Sequence, residues 1–241
     1  MNLMIAIIFY LATLFFVVGL LHRIRVYANI PAPLKIPTTP APTTTGGVIL
    51  RMTREVVFFE SLFKANLWTW AMGWMFHAGM ALVVLRHLRY FTEPVWGWVI
   101  LIQPFGIYAG IAMLMGLCGL WARRLFVERI RYISTPSDHL MILLLIGIAS
   151  SGLMMQFFAH TDVIAVKNYF QGLMQFSIQP LPADAILVLH LVSVVVLLLI
   201  FPISKLLHAP SVFYSPTRNQ TDNPREHRHL STWAAKLESE K

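Results

Sequence analysis

Four of the nine histidines in this 241-residue chain stand inside or at the edge of long apolar runs. His77 lies in FHAGM and His87 in RHLRY, ten residues later on the same run. His190 lies in LVLHLV and His208 in KLLHAP, eighteen residues further along another run. An ionisable ring is costly in apolar surroundings and usually has a partner there. Burial favours the neutral imidazole, whose lone pair is a metal donor. Two such rings on each of two apolar segments are the right number of axial ligands for two bis-histidine b-type haems. The single cysteine, Cys118, permits neither an internal disulfide nor an iron–sulfur cluster, and there is no CxxCH motif for covalent haem. It reads as a small buried hydrophobe.

The elements that must carry these rings follow from composition. The chain is 57% hydrophobic and 12% charged, about half the charge of an ordinary soluble domain. Five apolar runs, at about residues 1–21, 66–88, 96–121, 140–158 and 185–207, each approach the roughly 20 residues that cross a bilayer core. The expectation is an all-α integral membrane five-helix bundle. The first run has no basic residues before it and no cleavage site, so it reads as a retained helix. Of the 19 Lys and Arg, sixteen fall in residues 22–66, 122–137 and 205–241, leaving Arg86, Arg89 and Lys167 on the other side. That bias predicts the N-terminus outside and the C-terminus cytoplasmic. The net charge of +8 therefore reflects topology and does not imply nucleic acid.

Between the runs, PAPLKIPTTPAPTTTGG (31–47) is predicted to be an extended loop. VVFFESLFKANLW (56–68) is expected to continue the second span toward the cytoplasm. VIAVKNYFQGLMQF (163–176) reads as a short amphipathic helix at the membrane surface. The expected organisation is a membrane domain over 1–210 and a polar tail over 211–241, carrying Pro216 and Pro224. Trp68, Trp96 and Trp98 fall near predicted interfaces, where aromatic rings anchor. Gly73, Gly79, Gly110 and Gly116 would allow close approach of a helix or a macrocycle.

With five spans, the second and fifth are antiparallel. His77 then faces His208 nearer the inner side, and His87 faces His190 nearer the outer side. Ideal helices fit this imperfectly. Ten residues are about 15 Å of rise and leave the rings about 80° apart around the axis, while eighteen residues are about 27 Å and return to the same face. A bend near Pro202 could absorb the mismatch. Any one of these rings could equally cap a helix or bond a neighbour, but all four being idle on two antiparallel spans is the weaker reading. His22 and His139 sit at inner ends of spans, His160 near the outer surface, and His227 and His229 in the polar tail. His139 is the substitute for His77 if the spans are misplaced.

The constellation of His77 and His87 on span two with His190 and His208 on span five, at spacings of ten and eighteen, resembles the respiratory nitrate reductase gamma-subunit family of dihaem cytochromes b over about residues 1–210. RHLRYFTEPVWGW, LWARRLFVERIRYISTPSDHL and PAPLKIPTTPAPTTTGG are similar to the sulfur-metabolism branch typified by DsrM, the membrane subunit of the Dsr complex. The resemblance implies two haem b groups, His77 and His208 on the inner iron and His87 and His190 on the outer. It implies menaquinone or ubiquinone as redox substrate beside the outer haem, and a cytoplasmic iron–sulfur partner resembling DsrK, with other Dsr subunits. The setting it implies is a bacterial cytoplasmic (inner) membrane. The chain would be the electron-transfer subunit of an oxidoreductase, with the sulfur-substrate reaction on another subunit.

Candidate quinone contacts are Lys167, Arg89 and Asp162, with Arg86 and Glu93 also on the outer side. Candidate propionate partners are Arg86, Arg89, Arg129 and Arg131. Each of these charges could instead be an interfacial anchor. The alternatives are a nitrate reductase gamma subunit proper, another quinol-linked dihaem cytochrome, and a haem-free scaffold or transporter. The last is less attractive because no inverted repeat is visible.

Overall fold

Five helical segments are long and apolar enough to cross a membrane: Asn2–Asn29, Leu67–Tyr90, Gly97–Phe126, Pro136–Ala159 and Ala185–Ile203. In each, between 17% and 33% of the most apolar window is buried within the chain. The remaining apolar surface therefore needs lipid as its solvent, because lipid alone satisfies exposed leucine, isoleucine and phenylalanine without a protein partner. The structure, a computed structural model, describes residues 2–32, 34–226, 230 and 232–239. His227 and His229 lie outside the described residues. The helices are α1 (Asn2–Asn29), α2 (Thr45–Phe58), α3 (Glu60–Ala65), α4 (Leu67–His87), α5 (Gly97–Ile102), α6 (Gly106–Phe126), α7 (Glu128–Ile133), α8 (Pro136–Met154), α9 (Val163–Met174), α10 (Ala185–Ile200), α11 (His208–Ser211), α12 (Pro216–Asn219) and α13 (Thr232–Ser239). The protein is an all-α, five-span membrane bundle.

Three expectations are corrected. The segment before span two does not continue that helix. Phe59 turns left-handed at φ 52° and ends α2, and Asn66, extended at φ −161°, accepts from the Thr69 amide and caps α4. An asparagine side chain at this position replaces the missing intrahelical partner and so favours a fresh start over continuation. Span five does not run straight to residue 207. It tightens into a 3-10 turn at Phe201–Ile203, around Pro202, and breaks at Ser204 (φ −114°, ψ 177°), as expected where proline removes a helical donor. Cys118 is exposed, not buried. It shares a helical stripe with the exposed Ile111 and Met115, at the i, i+4, i+7 spacing that places residues on one face.

By packing, the chain divides into two compact units, residues 1–14 with 62–199, and 15–61 with 200–241. In the first, α4 lies against α6 at backbone distance. A Cβ on Gly79 would meet Ala109 O at 2.7 Å, and one on Gly116 would meet Met72 O and Phe76 N at 2.7 Å. Gly110 faces Leu153 at 3.0 Å, whereas Gly73 meets only a Leu62 methyl at 3.7 Å, so the close approach rests mainly on Gly79 and Gly116. The amphipathic helix forms as α9, capped by Asp162 Oδ1, which accepts from the amides of Ile164 and Ala165. Its apolar face, with Val166, Tyr169 and Leu173 buried, packs on the start of α1, where Tyr10 OH donates to Leu173 O at 2.7 Å and Phe9 meets Phe170 edge-on.

In the second unit, the far half of α1 packs on the chain after α10. A Cβ on Gly19 would stand 2.7 Å from Pro202, Arg23 Nε donates to Pro202 O at 3.2 Å, and Phe16 meets Phe201 edge-on. Residues 34–42 form no regular element, as the Pro/Thr-rich composition predicts, and α2 begins at Thr45 with Thr44 as its cap.

Candidate functional site

The four histidines share one feature. His77 Nδ1 lies 2.7 Å from Gly73 O, His87 Nδ1 lies 2.6 Å from Val83 O, and His208 Nδ1 lies 2.8 Å from Lys205 O. A carbonyl can only accept, so Nδ1 is the protonated nitrogen in each, and the neutral ring carries its lone pair on Nε2. His190 reaches the same state differently. Its Nδ1 lies 2.9 Å from Ser151 Oγ, and that hydroxyl's one proton is directed to the carbonyls of Gly147 (2.7 Å) and Ile148 (3.1 Å). The hydroxyl therefore accepts from His190. Fixing Nδ1 as a donor is how proteins orient a metal-binding imidazole and raise its basicity.

The helices explain the placement. On α4, Gly73 and Val83 stand four residues before His77 and His87, the helical spacing that puts a side chain over the preceding turn. His87 is the last residue of α4 and is exposed, while His77 and His190 are half-buried. His87 and His190 lie within electrostatic reach of each other. Gly152 leaves van der Waals room beside the His190 ring, 3.6 Å from a built Cβ. His77 and His208 belong to different compact units.

Two arginines stand near His87. Arg86 Nε and Arg89 Nη1 both donate to Gln103 Oε1, at 3.2 and 2.9 Å, and Arg89 Nη2 donates to Tyr90 OH. Neither has a carboxylate partner among the described residues, and Arg89 Nε is buried with no hydrogen bond. Two guanidinium groups sharing one neutral oxygen leave an unmet demand for an anion, which a haem propionate fits. Arg129 and Arg131 are exposed on α7.

Lys167 Nζ pairs with Glu93 Oε2. The hydrogen bond and charge of that ammonium hold the Glu93 carboxyl below the usual range. The Thr161 hydroxyl does the same for Asp184. Ser151 and Gln103 were not singled out from sequence. The one available signal for Ser151 was a polar pair, Ser150–Ser151, within an otherwise apolar run. Ser151 is buried in the structure.

Residues 47–221 match the nitrate reductase gamma subunit family. That stretch spans all four histidines and is well over half of the chain. The chain belongs to this family. The family match starts after the first span and extends into the tail, so its limits differ from the 1–210 expected of the resemblance. Two archaeal relatives carry the description "Hdr-like menaquinol oxidoreductase cytochrome b-like subunit". The one from Archaeoglobus fulgidus is 35% identical over 95% of this chain and 84% of its own length. The one from Archaeoglobus profundus is 29% identical over 93% of this chain and 80% of its own length.

Proposed function

We propose that this gamma-family chain is the membrane cytochrome b subunit of a redox complex, passing electrons between the quinone pool and a cytoplasmic iron–sulfur subunit. The reading is carried by three imidazoles on the antiparallel second and fifth spans and a fourth, His208, just past the break that ends the fifth, each with Nδ1 engaged and its lone pair on Nε2. His87 and His190 hold one b-type haem, and His77 and His208 the other. When bound, each haem accepts and passes one electron at a time.

The chain supplies ligation, orientation and charge. Val83 O and Gly73 O fix the rings on α4, Ser151 fixes His190, and Arg86 with Arg89 offers unsatisfied donors to propionate. Arg129 and Arg131 are the candidates at the other haem. With the N-terminus outside, His87 and His190 lie toward the outer face and His208 toward the cytoplasm. Oxidation of a quinol releases two electrons and two protons. Lys167, poised against Glu93, and Arg89 can donate hydrogen bonds to a quinone oxygen, and Asp162 is the nearby carboxylate candidate on the same side.

The relatives' descriptions support menaquinol as the quinol. A DsrK-like iron–sulfur subunit in dissimilatory sulfur metabolism is our reading of the partner, in the cytoplasmic membrane of a prokaryote. Because both relatives are archaeal, the bacterial setting expected from sequence widens accordingly. The second reading, a nitrate reductase gamma subunit proper, is favoured by the family's own description. Purifying the protein from its native membrane and identifying the subunit that accompanies it distinguishes them. An iron–sulfur protein without a nitrate-reducing subunit supports the first, and a nitrate-reducing subunit overturns it.

A further inference from the structure

Resting on that reading, we propose that Arg218, Glu55 and Ser61 form a latch that positions His208. The ring sits in a weak stretch of chain. Between Phe201 and Tyr214 there are only single turns, at Phe201–Ile203, Lys205–Leu207, His208–Ser211 and Val212–Tyr214. Turns this short lack the cooperative hydrogen-bonding of a long helix and cannot hold a side chain's direction by themselves. An imidazole that must meet an iron along a fixed axis needs the backbone held on both sides.

The upstream hold is Pro202, six residues before His208, buried against Gly19 and bonded through its carbonyl to Arg23. The downstream hold is Arg218, ten residues after it. Arg218 Nη1 donates to Glu55 Oε1 and to Ser61 Oγ, each at 2.7 Å, and Ser61 is itself bonded to Glu55 through both its hydroxyl and its amide. The Glu55 side chain is 14% exposed and that of Arg218 30%. A fully exposed pair would contribute little. This half-buried pair stands between that case and a fully buried one, in which the survivor of a broken pair is left as an uncompensated charge.

The hold extends beyond one ion pair. Thr38 N donates to Thr217 O (2.9 Å), Ile36 N to Gln220 Oε1 (3.0 Å), Gln220 Nε2 to Leu34 O (3.2 Å) and Asp222 N to Pro42 O (2.8 Å). The Pro/Thr-rich segment, which has no regular structure to satisfy its backbone, thus finds its partners in residues 217–222. Its role is to seat the far end of the ligand-bearing turns. Arg218 and Glu55 are positioning residues, acting on the haem through His208.

The test uses the full chain with its haems, in detergent. Haem content, the midpoint potential of each haem and the low-spin paramagnetic resonance signals are measured for His208→Ala, Arg218→Ala, Arg218→Lys, Glu55→Gln and Ser61→Ala. We expect His208→Ala to lower haem from two to one per chain. Arg218→Ala and Glu55→Gln should shift or lose the signal and potential of that same haem while leaving the other at its wild-type values, with partial recovery in Arg218→Lys. Wild-type signals and potentials for both haems in the latch variants overturn the proposal, and so does parallel loss of both haems, which marks general unfolding. If Arg218→Ala is not recovered folded, the near-isosteric Glu55→Gln and the small Ser61→Ala decide by the same readouts. Two haems retained in His208→Ala defeat the underlying ligand assignment. One haem in His208→Ala beside unaltered latch variants defeats the latch alone.

Discussion

Replacing Gly79 by alanine should loosen the helix that carries two of the four histidines. The new Cβ would stand 2.7 Å from Ala109 O and 2.9 Å from Met113 N, where ordinary contact begins at 3.4 Å. Both obstacles are backbone atoms of α6, so no side chain can rotate away, and α4 and α6 must part by about 0.7 Å. Overpacking of this kind costs about 1–3 kcal/mol, offset by about 1 kcal/mol from alanine's helix preference. Gly147→Ala is the control, since it lies within α8 and an added Cβ would meet nothing within 4 Å beyond the helix's own neighbouring backbone, and it carries the same preference with no clash. The difference in unfolding free energy between the two variants, measured by circular dichroism in detergent, should therefore be about 1–3 kcal/mol. Equal stabilities would refute the claim that α4 and α6 meet at backbone distance. His77 lies two residues from Gly79, so the haem spectrum should also change in Gly79→Ala and not in Gly147→Ala.

Ser151→Ala removes the acceptor that orients His190 Nδ1, a contact worth about 0.5–1.5 kcal/mol. It should alter the haem that His190→Ala removes and spare the other, as read by the two low-spin resonance signals. Because Lys167 lowers the Glu93 pKa, their ion pair is fully present above the ordinary glutamate value and is lost as pH falls through the lowered one. Hydrogen exchange in α9 should accordingly quicken at the acid end of that window, and Glu93→Gln should abolish the pH dependence. Lys167→Ala should slow quinol-dependent haem reduction several-fold while dithionite still reduces both haems, and an unchanged quinol rate would sink Lys167 as a quinone contact.

Much of the architecture was legible because the length of an apolar run speaks directly about the membrane. Four of the five spans fell within about five residues of their expected ends, while the first runs on well past residue 21, to Asn29. The misses are local. Nothing in the apolar periodicity announces that Phe59 turns left-handed or that Asn66 caps a new helix, since VVFFESLFKANLW is amphipathic whether or not it is broken. Cys118 departs from its expected burial because an apolar run does not say which of its faces packs inward, and this residue stands on the exposed stripe of α6 with Ile111 and Met115. The four histidines stand out in the sequence because ionisable groups in apolar runs are rare, but their Nδ1 partners do not. Three of those partners are backbone carbonyls without a sequence signature, and the fourth is Ser151, brought to His190 only by the packing of α8 and α10. Arg218 and Glu55, separated by 163 residues, are unremarkable until the tail is folded back.

The central claim, two haems each held by a defined pair of histidines, is tested most directly by haem content and reduced-minus-oxidised visible spectra of the purified chain and its four single histidine-to-alanine variants. The account predicts two b-type haems in the wild type, the same haem lost from His77→Ala and His208→Ala, and the other lost from His87→Ala and His190→Ala. A spectrum without b-type haem, one haem per wild-type chain, or losses that pair the histidines differently would contradict it.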